Sequence, residues 1–163
     1  MGYELHPETP AEGVMLNKLF SGFDPNAMVE RLVRAGAPYG IGFNRLERLS
    51  NSRLALEASE FARDRGGFHQ LHTAFFEAYF LEGRDIGSLA TVMEVAGAAG
   101  LDTGALEAAL HKGVYRERLA KARELGVKHQ VAGLPTFIFN GAEKLVGARE
   151  YEAFTRTVKK LLS

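Results

Sequence analysis

The sequence predicts a mostly helical α/β chain in which a block of helices is followed by a β-hairpin and a closing helix. Three observations predict it. Apolar residues recur at helical spacing from Asp24-Pro25 to Gly126, and the period then switches in the β-rich run Thr136-Phe-Ile-Phe139. An Asn140-Gly141 turn signal follows, before Lys144-Leu-Val146 returns. At 163 residues and 46% apolar content, one domain can bury its own core.

Composition removes several function classes. Twenty basic side chains balance twenty acidic ones, which gives no electrostatic reason for nucleic acid or an anionic membrane as partner. The absence of cysteine excludes disulfides, Cys-ligated metal centres and any thiol nucleophile supplied by this chain. No apolar run reaches the roughly 18 residues of a membrane span. The start, Met1 to Pro7, lacks the regions of a signal peptide, so the expected location is cytoplasmic.

The elements follow in order. Tyr3-Glu4-Leu5 reads as a short extended piece, and Pro7 and Pro10 make a turn. Asp24-Pro25 starts a helix, with Met28, Leu32 and Val33 on one face, ended by Gly36-Ala-Pro38. Ser50-Asn51 caps a helix carrying Leu54, Ala58, Phe61 and Ala62, closed by Gly66-Gly67. Phe68, Leu71, His72, Phe75, Phe76, Tyr79 and Phe80 then form one wide apolar stripe, the pattern of a core-facing helix. Leu89, Val92, Met93 and Ala96 mark another helix, stopped at Gly100 with Leu101 placed for a Schellman contact. Two more helices cover 103–111 and 114–125, the second with a stop at Gly126. A last helix presents Tyr151, Phe154, Val158, Leu161 and Leu162 on one face, with Lys159 and Lys160 near its C-terminus.

The informative motif is Val131-Ala-Gly133-Leu134-Pro135-Thr136-Phe137, with the hairpin, Gly147-Ala148 and the terminal helix behind it. A proline at the mouth of a β-rich run suits a strand entry whose preceding backbone is left free to pair elsewhere. Together these pieces resemble the C-terminal half of thioredoxin-fold proteins, and more narrowly the DsbA family. Tyr3-Glu-Leu-His-Pro-Glu-Thr-Pro10 with Glu12-Gly13 resembles the segment that follows the second strand in the FrnE-like branch. Asn51, the Phe-rich helix, Glu82-Gly83-Arg84-Asp85-Ile86 and Ala99-Gly100-Leu101-Asp102 resemble that branch's helical insertion.

The resemblance implies an incomplete thioredoxin-like fold over 1–163, with a helical insertion at 11–126 and a β-β-α part at 131–163. It implies a cis bond before Pro135 and an extended peptide or protein substrate at the Leu134-Pro135 loop. Gly133, Leu134, Pro135, Thr136 and His129 are then the substrate-binding residues. It implies no cofactor, no metal and no catalytic residue among these positions, because the family's first strand and Cys-X-X-Cys helix have no counterpart here. An engineered truncation, a late start codon and a genuine half-protein remain open as explanations, and in each the chain cannot exchange disulfides alone. In the family the absent first strand lies beside Thr136–Phe139, so that run is expected to present a free apolar edge. A homo-oligomer is the expectation, in particular a two-fold dimer through the 136–146 hairpin or the face beneath it.

Other residues are weighed against plainer roles. His69 and His72 stand three apart, a possible metal pair, but His72 sits on the apolar stripe and reads as a core-edge histidine satisfied by a hydrogen bond. His6 reads as a turn residue. Arg116, Arg118, Lys121 and Arg123 alternate with Glu117 and Glu124 as a solvated face. Gly40-Ile-Gly42 has no strand before it and is no phosphate cradle. Two alternatives stand beside the oxidoreductase reading. One is a non-catalytic peptide binder working by β-augmentation; the other is a relative of kappa-class glutathione transferases and isomerases.

Overall fold

The computed structural model describes residues 2–19, 24–44 and 46–162. Met1 lies outside them. The chain enters through turns, with the Thr9 N–H and hydroxyl both donating to the His6 carbonyl, so His6 is the turn residue expected. A two-residue strand β1 (Val14–Met15) leads into a single-turn helix α1 (Leu16–Leu19). Helix α2 (Pro25–Gly36) starts where Asp24 accepts a hydrogen bond from the Asn26 N–H, and a 3-10 turn over Ala37–Tyr39 follows. Strand β2 (Arg48–Leu49) pairs antiparallel with β1, Val14 opposite Leu49. Two-residue ladders carry no period, so this pair is not legible in the sequence.

The core lies in the next five helices: α3 (Arg53–Arg63), α4 (Phe68–Phe80), α5 (Leu89–Ala98), α6 (Thr103–Lys112) and α7 (Arg116–Lys128). The other four all pack on α3. Ala55, Ala58 and Ala62 present a thin face that lets neighbouring backbones approach, while Phe61 supplies bulk between them. Phe61, Leu71, Val92 and Leu106 are all but sealed from solvent, and Tyr115 packs edge-on to Phe61 with centroids 6.3 Å apart. The α5 stop forms as its sequence predicts. Gly100 turns left-handed at φ 80°, and the Leu101 N–H reaches back to the Ala96 carbonyl at 3.0 Å.

Several expectations are corrected. The α3 cap is not Ser50-Asn51: Ser52 occupies the cap position, and Asn51 contributes by accepting from the Arg53 N–H at 2.9 Å. The α4 stripe is not all core. Leu71, Phe75 and Ala78 are buried, but i+4 steps drift around the helix, and Phe76 stands 52% exposed. His72 is held by rings rather than by a hydrogen bond among the described residues. It stacks on Phe68 at 5.0 Å and meets Phe76 edge-on at 4.9 Å, and burial holds its pKa below the usual histidine value.

Gly126 does not stop α7. The helix runs on to Lys128, and the turn comes at Gln130, whose φ is 50° and behind which the Val131 N–H returns to the Gly126 carbonyl at 2.8 Å. Nor is the α7 basic face merely solvated. Arg118 donates to both oxygens of Asp64 on the α3 end, at 2.7 and 3.0 Å, and lies 3.6 Å from Glu60; Arg116 lies 3.8 Å from the buried Glu57. These contacts hold α7, and hence everything after it, against the core.

The C-terminal unit is β3 (Thr136–Phe139), β4 (Glu143–Val146) and α8 (Tyr151–Leu162). The strands pair antiparallel, Phe137 opposite Leu145, across a turn whose Asn140 and Gly141 both have positive φ, as the Asn-Gly signal requires. Strand alternation turns Phe137 and Phe139 toward α8, where both rings meet Phe154 edge-on. The apolar face expected of α8 is present but is not buried: Tyr151 and Leu162 are about 80% exposed or more.

Candidate functional site: the groove beside the Leu134-Pro135 loop

The end of α7, the Leu134-Pro135 loop and β3 enclose a groove of about 350 Å³. Its α7 wall is Ala122, Leu125, Gly126 and His129, and its opposite wall is Val131, Leu134, Thr136 and Ile138. Tyr3, from the chain start, closes one end against α7. A Cβ on Gly126 would stand 2.1 Å from Tyr3 Cε2, so only glycine admits the ring there. A larger cleft of about 620 Å³ between α4 and α5 lies away from this loop.

The loop is held by its own hydrogen bonds and by the hairpin. The Leu134-Pro135 peptide bond is cis. The Pro135 carbonyl accepts from the Gly147 N–H at 2.7 Å, and the Thr136 hydroxyl donates to the Gly133 carbonyl at 2.6 Å. Lys144 on β4 donates to the His129 carbonyl at 2.8 Å, tying the hairpin to the end of α7. The Leu134 side chain is exposed, and its backbone N–H and C=O have no partner among the described residues. Strand β3 is paired on the β4 side alone among the described residues.

The structure therefore brings together Leu134, Thr136 and His129 as groove lining, with Gly133 and Pro135 beside it as the turn that presents Leu134. Sequence reasoning missed Tyr3, Gly126, Val131 and Ile138. Val131 stands directly after the left-handed Gln130, where helices commonly dock an apolar side chain, but no glycine announces that turn in the sequence. Nothing local pointed to Tyr3. The arrangement offers an apolar trough and a bare peptide unit, and no thiol, since the sequence has no cysteine. No cluster of three metal-ligating side chains occurs among the described residues, so His69 and His72 find no third ligand there.

A sequence model of the DSBA-like thioredoxin domain matches residues 3–159. The chain belongs to the DSBA-like thioredoxin domain family. A crystal structure of a probable DsbA oxidoreductase from Streptomyces coelicolor superimposes with a TM-score of 0.84, covering 97% of this chain and 72% of that one at 23% identity. That likeness supports the fold: mostly helical, thioredoxin-like, with few short strands. The uncharacterized protein YwbO of Bacillus subtilis is 30% identical over 109 residues, 64% of this chain. This DSBA-like chain thus matches about half of that relative's length, 52%. No helix among the described residues is long and apolar enough to cross a membrane.

Proposed function

We propose that this chain is the helical and substrate-facing part of a protein thiol–disulfide oxidoreductase of the FrnE-like branch. The observation that carries the reading is the apolar groove beside the Leu134-Pro135 loop, in a chain that matches the DSBA-like domain from residue 3 to residue 159. An extended peptide lies along the loop and pairs with the Leu134 backbone. Its apolar side chains enter the trough between Leu125, Val131 and Ile138, while Gly133, Pro135 and Thr136 fix the loop and His129 lines the rim. Exchange itself needs a thiolate to attack a disulfide sulfur, and these 163 residues contain none. The purified chain is therefore expected to show no insulin-reducing or thiol-oxidising activity. It is expected to bind a fluorescent, extended apolar peptide, and Leu134→Asp is expected to lose that binding. Disulfide exchange by a cysteine-free preparation, or equal peptide binding by Leu134→Asp, overturns the reading.

A second reading rests on the open side of β3. There the chain is a non-catalytic binding protein that adds an extended strand to its two-stranded sheet. The same edge supports self-pairing into a two-fold dimer, with Ile138 at the contact.

A further inference from the structure

The groove beside the Leu134-Pro135 loop has a floor and walls of different character. Ala122 and Gly126 stand four apart on α7 and so share one face, and Ala122 is buried. Together they make a floor with almost no side chain. The Tyr3 ring lies on it. A Cβ on Gly126 would stand 2.1 Å from Tyr3 Cε2, 2.6 Å from Cζ and 2.9 Å from the hydroxyl oxygen. The ring edge thus rests where the side chain of any other residue would begin. The residues on either side of Tyr3 hold it there: Gly2 abuts Leu56 on α3, and Glu4 Oε2 accepts from Arg53 at 3.2 Å. The walls, by contrast, are branched and aliphatic, from Leu125, Val131, Leu134 and Ile138.

We propose that Tyr3 is a specificity-determining residue: it fills a ring-shaped seat over Gly126 and so restricts the groove to aliphatic side chains of a bound peptide. The proposal rests on the reading of this groove as a peptide site, and names the side-chain class the site takes. With the ring in place the cavity is about 350 Å³, near the lower end for ligand pockets. A leucine or isoleucine side chain interdigitates with Leu125, Val131 and Ile138 and leaves the floor untouched. A phenylalanine or tyrosine side chain needs a flat surface of ring size, and Tyr3 already covers that surface. The restriction is one of shape, because the ring carbons Cε2 and Cζ make the closest approaches to the floor. Tyr3→Phe therefore keeps it. Truncating the ring opens an apolar void, and such voids take up small aromatic molecules.

The test uses the full chain, p-cresol as a free copy of the Tyr3 side chain, and two fluorescent extended peptides that differ only in a central Leu or Phe. Wild type and Tyr3→Phe are expected to bind the Leu peptide about tenfold or more tighter than the Phe peptide. Tyr3→Ala is expected to gain about tenfold or more in affinity for the Phe peptide and to change little toward the Leu peptide. By NMR, p-cresol is expected to shift the Gly126 amide of Tyr3→Ala and to leave that of the wild type in place. Adding Gly126→Ala to Tyr3→Ala puts a methyl group in the seat at a helical position that favours alanine, and is expected to abolish both gains. The core resonances of Leu71 and Phe75 report that each variant is folded. A Tyr3→Ala chain that keeps the wild-type preference for Leu over Phe overturns the specificity role, as does one that takes up no p-cresol. Uptake of p-cresol by Tyr3→Ala, with neither peptide bound by any chain, supports the ring seat and overturns the peptide reading of the groove instead.

Discussion

The five-helix block and the C-terminal hairpin-helix unit use their apolar residues in opposite ways. In α3 to α7 the large side chains point inward, and Phe61, Leu71, Val92 and Leu106 meet almost no solvent. In β3, β4 and α8 no residue is buried, although α8 is strongly amphipathic and both strands are β-rich. Phe154 against Phe137 and Phe139 is the principal internal packing of that unit. The difference separates stability from recognition. The helices hold themselves together, whereas the hairpin and α8 keep apolar surface turned outward, where another chain segment can meet it.

The largest effect expected from this contrast is global. Phe61→Ala removes the side chain on which α3 and Tyr115 meet, and is expected to cost about 3–5 kcal/mol. Denaturant unfolding followed by helical circular dichroism measures it, and a loss under about 1 kcal/mol would mean the block is not the stabilising unit. Next comes association. Ile138→Asp places a charge on the groove side of β3 and is expected to leave the melting temperature of the helices unchanged while converting oligomer to monomer by light scattering. A wild-type chain that stays monomeric at high protein concentration breaks that expectation.

A smaller effect concerns the α3–α7 joint. The Arg118 guanidinium, with help from the Tyr115 hydroxyl, holds the Asp64 carboxyl below its ordinary 3.8. The stabilisation from Asp64 is therefore present above about that value and lost as the pH falls through the lowered one. Asp64→Asn is expected to lower the melting temperature slightly at neutral pH and to match the wild type in acid. Glu57 has the opposite sign, since its raised pKa removes stability as the pH climbs above 4.5. Smallest of all, Val158→Ala on the uncovered α8 face is expected to change stability by less than about 0.5 kcal/mol. A larger change would show that α8 is covered after all.

Much of this was legible where one local rule governs. Asp24-Pro25, Gly100-Leu101 and Asn140-Gly141 each specify their own backbone, and each forms as its residues require. The strand entry at Pro135 was readable because a proline opens a β-rich run, while Leu134 and Thr136 were singled out through the family resemblance. Contacts between distant segments were not. Arg118 reads as one more charge on a solvated helix until Asp64 is placed 2.7 Å away, and Gly126 reads as a stop until Tyr3 arrives. The Phe-rich stripe misled for a geometric reason. Seven positions at helical spacing span too wide an arc for one neighbouring layer, so Phe76 is left outside.

The edge-on pairing of Tyr115 with Phe61 also has an optical consequence. The sequence has no tryptophan and five tyrosines, so phenol rings dominate its near-ultraviolet absorption. Tyr39 and Tyr151 stand in solvent, where rotational averaging cancels their ellipticity. Tyr115 is fixed between an aromatic edge and the Asp64 carboxylate, and Tyr79 is pinned by its hydroxyl to the Arg48 carbonyl at 2.7 Å. The near-ultraviolet circular dichroism of this chain is thus a direct gauge of the joints that α3 and α4 make. Its Tyr115 and Tyr79 components collapse as soon as the helical block loosens, while Tyr3, seated on Gly126 in the groove, adds a component of its own.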